Sequence, residues 1–100
     1  MQVLVHIPGS LRQYCGGARL VHVKCDDPST LARVFERLHA DHPGVVERAL
    51  DEQGKIRPHV NVFVDGESIR AGPKRGLETP LGAGSEVWIL PAVSGGQAAA

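Results

Sequence analysis

Val3, Val5 and Ile7 alternate with Gln2, Leu4 and His6 in the opening QVLVHIP, a period of two that predicts a strand over 2–8 with one buried face. Pro8 stops it, and GSLRQYCGG reads as a loop closed by Gly16-Gly17. Residues 19–25, RLVHVKC, alternate again with Val21, Val23 and Cys25 sharing a side. Two such runs across a glycine-rich connection predict an antiparallel pair. The period then changes. In DDPSTLARVFERLHADHPG, Leu31, Val34, Phe35 and Leu38 fall at i, i+3, i+4 and i+7, one stripe of an α-helix. Asp27 or Ser29 is placed to cap its first turn, where Pro28 has no amide to leave unpaired. Pro43-Gly44 ends the segment, and VVERALDEQGK predicts a short second helix before Gly54.

Alternation returns in HVNVFVD, with Val60, Val62 and Val64 on one side, followed by Asp65-Gly66, the pair suited to a tight hairpin turn. ESIR is the short return strand, and AGPKRGLETPLGAGS is a turn-rich connection. Residues 86–90, EVWIL, make the last strand, and Pro91, lacking an amide donor, is expected to end pairing there. The order strand, strand, helix, short helix, strand, strand, strand predicts an α+β fold: a sheet of four to five strands packed on one main helix.

The sheet face toward the helix is then Val3, Val5, Ile7, Val21, Val23, Val60, Val62, Val64, Val87 and Ile89. The opposite face is expected to be polar where it meets water, yet alternation puts Leu4, Phe63, Trp88 and Leu90 on it. Phe63 and Trp88 are two of only four aromatics in the chain, and tryptophan is enriched where partners dock. These four residues mark a protein-docking face, with cross-strand packing that stiffens the sheet as the alternative.

Composition narrows the function. Eleven basic and eleven acidic residues cancel, which lacks the basic surplus of a nucleic-acid binder. One hundred residues are enough for one core without staples. The first residues show no charged, long apolar leader, and no run approaches the length of a membrane span. Cys15 and Cys25 form no CxxC pattern and read as reduced thiols in a cytoplasmic protein, expected to be monomeric in isolation. Cys15 with His6 or His22 lacks the orienting third group of a nucleophilic pair. His39 and His42 stand three apart without a third ligand and read as a solvated helix end. Gly82-Ala83-Gly84 precedes a strand, so it is a turn rather than a dinucleotide loop, and no P-loop occurs. Arg70, Lys74 and Arg75 share one connection, a solvated loop or a contact to an acidic partner.

The end of the chain, ILPAVSGGQAAA, carries the most specific chemistry. A segment leaving a strand at Pro91 narrows at Gly95 and Gly96. Without Cβ atoms these two can thread a tight channel, which suits a tail whose own terminal carboxylate reacts. The alternative is an ordinary frayed terminus.

HIPGSLRQYCGG, DEQGKIRPHVNVFVDGESIR and LETPLGAGSEVWILPAVSGG together resemble the ThiS/MoaD family of ubiquitin-like sulfur carriers, in the branch of CysO-type carriers, over residues 1–96. The resemblance implies a β-grasp domain over 1–93, a flexible tail over 94–96, and an extension over 97–100 removed on maturation. It implies that an E1-like enzyme uses ATP and Mg²⁺ to adenylate Gly96. Sulfur then replaces AMP, and the thiocarboxylate donates to a synthase, a PLP-dependent cysteine synthase in this branch. ATP, Mg²⁺ and PLP belong to those partners, and the chain is a carrier rather than an enzyme. Val93, Ser94, Gly95 and Gly96, with Leu4, Phe63, Trp88 and Leu90, are the implied partner-binding residues. With Gln97 attached, Gly96 bears an amide in place of a carboxylate, so a JAMM-type zinc metallopeptidase is expected to cut after Gly96, unless Gln97–Ala100 derive from an expression vector. The small subunit of molybdopterin synthase, a ubiquitin-like modifier forming isopeptide bonds through Gly96, and a purely structural module are the alternatives.

Overall fold

The computed structural model describes residues 1–70 and 76–91. The expectations placed on Lys74, Arg75, Val93, Ser94, Gly95, Gly96 and Gln97–Ala100 lie outside them. Strand β1 (Gln2–His6) runs antiparallel to β2 (Leu20–Lys24). A two-residue strand β3 (Ser29–Thr30) leads into helix α1 (Leu31–Asp41), which is followed by α2 (Pro43–Ala49). Then come β4 (Val60–Val64), β5 (Glu67–Ser68), β6 (Pro80–Leu81) and β7 (Glu86–Pro91). The main sheet has five strands in the order β2-β1-β7-β4-β5. Its central pair, β1 and β7, is parallel; every other neighbour is antiparallel. β3 and β6 form a separate two-stranded sheet. This is the mixed five-stranded sheet of a β-grasp α+β fold.

The alternation reads correctly onto the core. Val3, Val5, Ile7, Val23, Val60, Val62, Val64, Val87 and Ile89 are buried, and they meet Leu31, Val34, Phe35 and Leu38 of α1. Val21 is only partly covered, toward the edge of the sheet. Each fully buried aliphatic side chain contributes about 1.5–3 kcal/mol. At the hairpin, Asp65 and Gly66 take φ of 50° and 88°, as a tight turn of this kind requires.

Several boundaries differ from the sequence expectation, each for a physical reason. The first strand stops at His6, and residues Gly9–Cys15 form a 3₁₀ helix in place of a loop. Gly16 at φ 68° ends that helix, and its buried Cys15 faces the core. Neither Asp27 nor Ser29 caps α1. Ser29–Thr30 is held against Pro80–Leu81, so the cap passes to Thr30, whose hydroxyl accepts from the Arg33 amide at 3.3 Å. Pro43 opens α2 instead of closing α1, because its missing amide is one a first helical turn leaves unpaired in any case. The return strand is shorter than ESIR, ending at Ser68. Arg70 is exposed, as a solvated loop residue would be, yet its Nη2 also donates to the Arg57 and Val60 carbonyls at 2.8 and 2.9 Å and clamps the segment leading into β4. Pro91 does not end pairing ahead of itself; it is the last residue of β7, opposite Val60. Proline removes a donor but keeps its carbonyl, so the ladder ends at it and not before. No helix among the described residues is long and apolar enough to cross a membrane.

Candidate functional site

Two features built by β7 surround the point where the tail departs. One is the sheet face away from the helices. Because residues opposite one another on neighbouring strands point to the same side, the register places Leu20, His6, Trp88, Phe63 and Ser68 in one row across all five strands. The next row on that face holds His22, Leu4 and Glu86, and Leu90 lies opposite Asn61. Trp88 is 42% exposed, Leu90 37% and Leu20 36%, while Leu4 and Phe63 are half-buried beside them. The structure thus gathers all four predicted outer-face residues.

To these the register adds His6 and Leu20, which alternation puts on the outward sides of their strands and cross-strand pairing brings into one row with Trp88. The His6 imidazole lies flat on the Trp88 indole, with ring centroids 3.6 Å apart and planes within 3°. Its Nε2 donates to Glu86 Oε1 at 2.7 Å. The indole is therefore held in one orientation by a ring that is itself held, a preorganised side chain that loses little freedom on contact with a partner.

The second feature is a cleft of about 590 Å³ at the end of β7, bordered by Leu11, Arg48, Arg57, His59, Leu90 and Pro91. Pro91 belongs both to the strand and to this cleft. The predicted tail residues Val93, Ser94, Gly95 and Gly96 follow outside the described residues. At 3.3–3.6 Å per residue, five residues past Pro91 can reach about 17 Å from the sheet.

The remaining candidates do not assemble. The Cys15 thiol contacts the Arg12 and Ala18 carbonyls at 3.5 and 3.4 Å, and His6 is engaged with Glu86 instead. Burial pushes the Cys25 thiol above its ordinary value, which keeps it protonated at neutral pH. His39 Nε2 lies 3.8 Å from Glu47 Oε2, and His42 sits between the two helices. Among the described residues no three His, Cys, Asp or Glu side chains gather to hold a metal.

Comparison with known proteins joins these features. Residues 5–96 match the ThiS family, so the match ends on Gly96. The sulfur carrier protein CysO of Mycobacterium tuberculosis is 40% identical over 98 residues, spanning 96% of this chain and 100% of that protein. Small archaeal modifier protein 3 of Haloferax volcanii is 32% identical over 80 residues, spanning 80% of this chain and 84% of its own. The crystal structure of the Amycolatopsis orientalis BexX/CysO complex superposes with a TM-score of 0.79 at 33% identity, covering 93% of this chain and 98% of the matched one.

Proposed function

This chain belongs to the ThiS family, and from that premise we propose that it is a sulfur carrier working through the carbonyl carbon of Gly96. The observation that carries the reading is the 40% identity to a sulfur carrier along that protein's whole length, with the family match running through to Gly96. Residues 1–93 are the β-grasp domain, 94–96 the reactive tail, and 97–100 an extension that a JAMM-type zinc metallopeptidase removes.

The chemistry follows from the carboxylate. A carboxylate is a poor electrophile. In the active site of an E1-like enzyme, a Gly96 oxygen attacks the α-phosphorus of ATP, and pyrophosphate leaves with its charge neutralised by Mg²⁺. The acyl-adenylate then has a good leaving group: sulfide attacks the carbonyl carbon, the C–O bond to AMP breaks, and a thiocarboxylate remains. A cysteine synthase would take that sulfur onto a serine derivative that its PLP activates: the thiocarboxylate sulfur bonds the β-carbon as the leaving group departs, and water cleaves the acyl link to the carrier, returning the Gly96 carboxylate. ATP, Mg²⁺ and PLP are bound by the partners in the cytoplasm; this chain presents the reacting group and makes the docking surface. The outer face around Trp88 meets the activating enzyme, and the narrow Gly95-Gly96 segment enters its channel.

The likeness to archaeal modifier proteins supports a second reading, in which the activated Gly96 is passed to lysine amines. ATP–pyrophosphate exchange by the cognate activating enzyme tests the shared first step. A chain ending at Gly96 is expected to support exchange and the chain through Ala100 to support none; exchange with the uncut chain would refute the need for trimming. A denaturing gel then separates the readings. A carrier stays at its own size, whereas a modifier yields higher-mass conjugates.

A further inference from the structure

We propose that the cleft at the root of the tail is an electrostatic docking site for an acidic loop at the channel entrance of the enzyme that takes the tail. The proposal rests on the carrier reading and adds to it a second surface, distinct from the Trp88 face, and the charge of what covers it.

The cleft is cationic, and its cations are fixed. Arg57 donates from Nε and Nη2 to the Glu47 carbonyl at 3.3 and 3.1 Å. Of the five N–H donors on a guanidinium, three remain. Arg48 lies 3.8 Å over the Tyr14 ring and gives a single hydrogen bond, to the Gly44 carbonyl. The Arg70 clamp on the Arg57 and Val60 carbonyls fixes the backbone on both sides of His59. Among the described residues neither Arg48 nor Arg57 is ion-paired with a carboxylate. Glu47, the acidic residue along the cleft, directs its carboxylate to His39 on α1. Asp51 lies within the field of Arg57, but its Oδ1 is taken by the Gln53 and Lys55 amides.

Geometry makes this charge unavoidable for a partner. Pro91 is part of the cleft wall, and Gly96 can stand no more than about 17 Å beyond it. An enzyme that encloses Gly96 in its active site must therefore close over the ground around Pro91. Doing so without bringing an acceptor would bury guanidinium donors of Arg48 and Arg57 that are left unpaired, which is unfavourable. A carboxylate placed there pairs in the planar, two-pronged manner arginine favours, and it also steers the approach of the carrier.

The test uses the chain ending at Gly96 with the cognate activating enzyme, reading KM for the carrier and kcat in ATP–pyrophosphate exchange. The double variant Arg48→Glu/Arg57→Glu is expected to raise KM at least about tenfold with kcat within about twofold, the signature of lost binding rather than lost chemistry. Arg48→Lys/Arg57→Lys, which keeps the charge, is expected to stay within about threefold of the parent KM. Arg48→Glu alone leaves the Arg57–Glu47 tie intact and covers the case in which the double variant melts early; it is expected to raise KM in the same direction. Parent KM is expected to climb as ionic strength rises from about 0.05 to about 0.5 M. Glutamate variants with parental KM, in a carrier that is itself adenylated, would overturn the docking site alone. A parent chain that supports no exchange would overturn the carrier reading and the docking site together.

Discussion

At the scale of single residues, Trp88 is the side chain whose environment departs most from that of an ordinary surface position. It is large, exposed, and locked by the His6 ring and, through it, by Glu86. Truncation to alanine removes contact area from the docking face while leaving the core untouched. Trp88→Ala is expected to weaken binding to the activating enzyme by about 2 kcal/mol, the scale of an interface hot spot, and titration calorimetry with the purified partner measures it. Alternation alone made Leu4, Phe63, Trp88 and Leu90 legible. It also turned His6 and Leu20 outward, but their place in one row with Trp88 depends on which strand lies beside which. Asp51 offers a prediction of a different kind. The Lys55 amide, with the Gln53 amide beside it, holds its carboxyl below the usual carboxylate range. A lowered value in the folded state means stability present above the unfolded value and lost as pH falls through the folded one. Asp51→Asn is therefore expected to be less stable than the parent near neutrality, the gap closing in acid. Urea midpoints followed from about pH 6 down through the ordinary aspartate value of about 3.9 show the gap closing.

At the scale of elements, the long periodic segments announced themselves and the short ones did not. The stripe Leu31, Val34, Phe35, Leu38 is buried as its spacing requires, and the five valines of β1 and β4, Val3, Val5, Val60, Val62 and Val64, sit inward. Two-residue strands have no period to detect, so the β3–β6 pair was invisible, and with it the reason Thr30 rather than Asp27 or Ser29 caps α1. Thr30→Ala is expected to cost about 1 kcal/mol through the lost bond to the Arg33 amide, read as a shift of the denaturant midpoint. Gly44 was equally hidden. The sequence presents it as a helix stop after proline, whereas in the fold it lets α2 approach the 3₁₀ helix so closely that an added Cβ would lie 3.0 Å from Tyr14 Cβ and Cδ1. Gly44→Ala must push Tyr14 aside, and with it the ring beneath Arg48. A loss of about 1–3 kcal/mol is expected, visible in the same denaturation experiment.

At the scale of the whole molecule, the sheet order explains why the last strand is so well placed to carry a reactive tail. β7 is central, held by β1 on one side and β4 on the other, and pairing continues to Pro91. Pro91 therefore stands at the end of the central strand, paired there with β4 beyond the reach of β1, between the Trp88 face and the arginine cleft. The parallel β1–β7 pairing was also beyond reach of periodicity, since it joins segments from opposite ends of the chain. The proposed tail chemistry rests on the sequence, on Gly95-Gly96 after Pro91 and on the family match that runs through Gly96. The cleft was not legible in the sequence, because Arg48 comes from α2 while Arg57 and His59 come from the segment before β4.

All of this converges on a single carbon atom. The direct measurement is tandem mass spectrometry of the chain ending at Gly96 after incubation with its activating enzyme, ATP, Mg²⁺ and sulfide. The expected result is the exchange of one oxygen for one sulfur, located by fragmentation to Gly96. Sulfur found on Cys15 or Cys25, or an unchanged Gly96 beside an active enzyme, would contradict it.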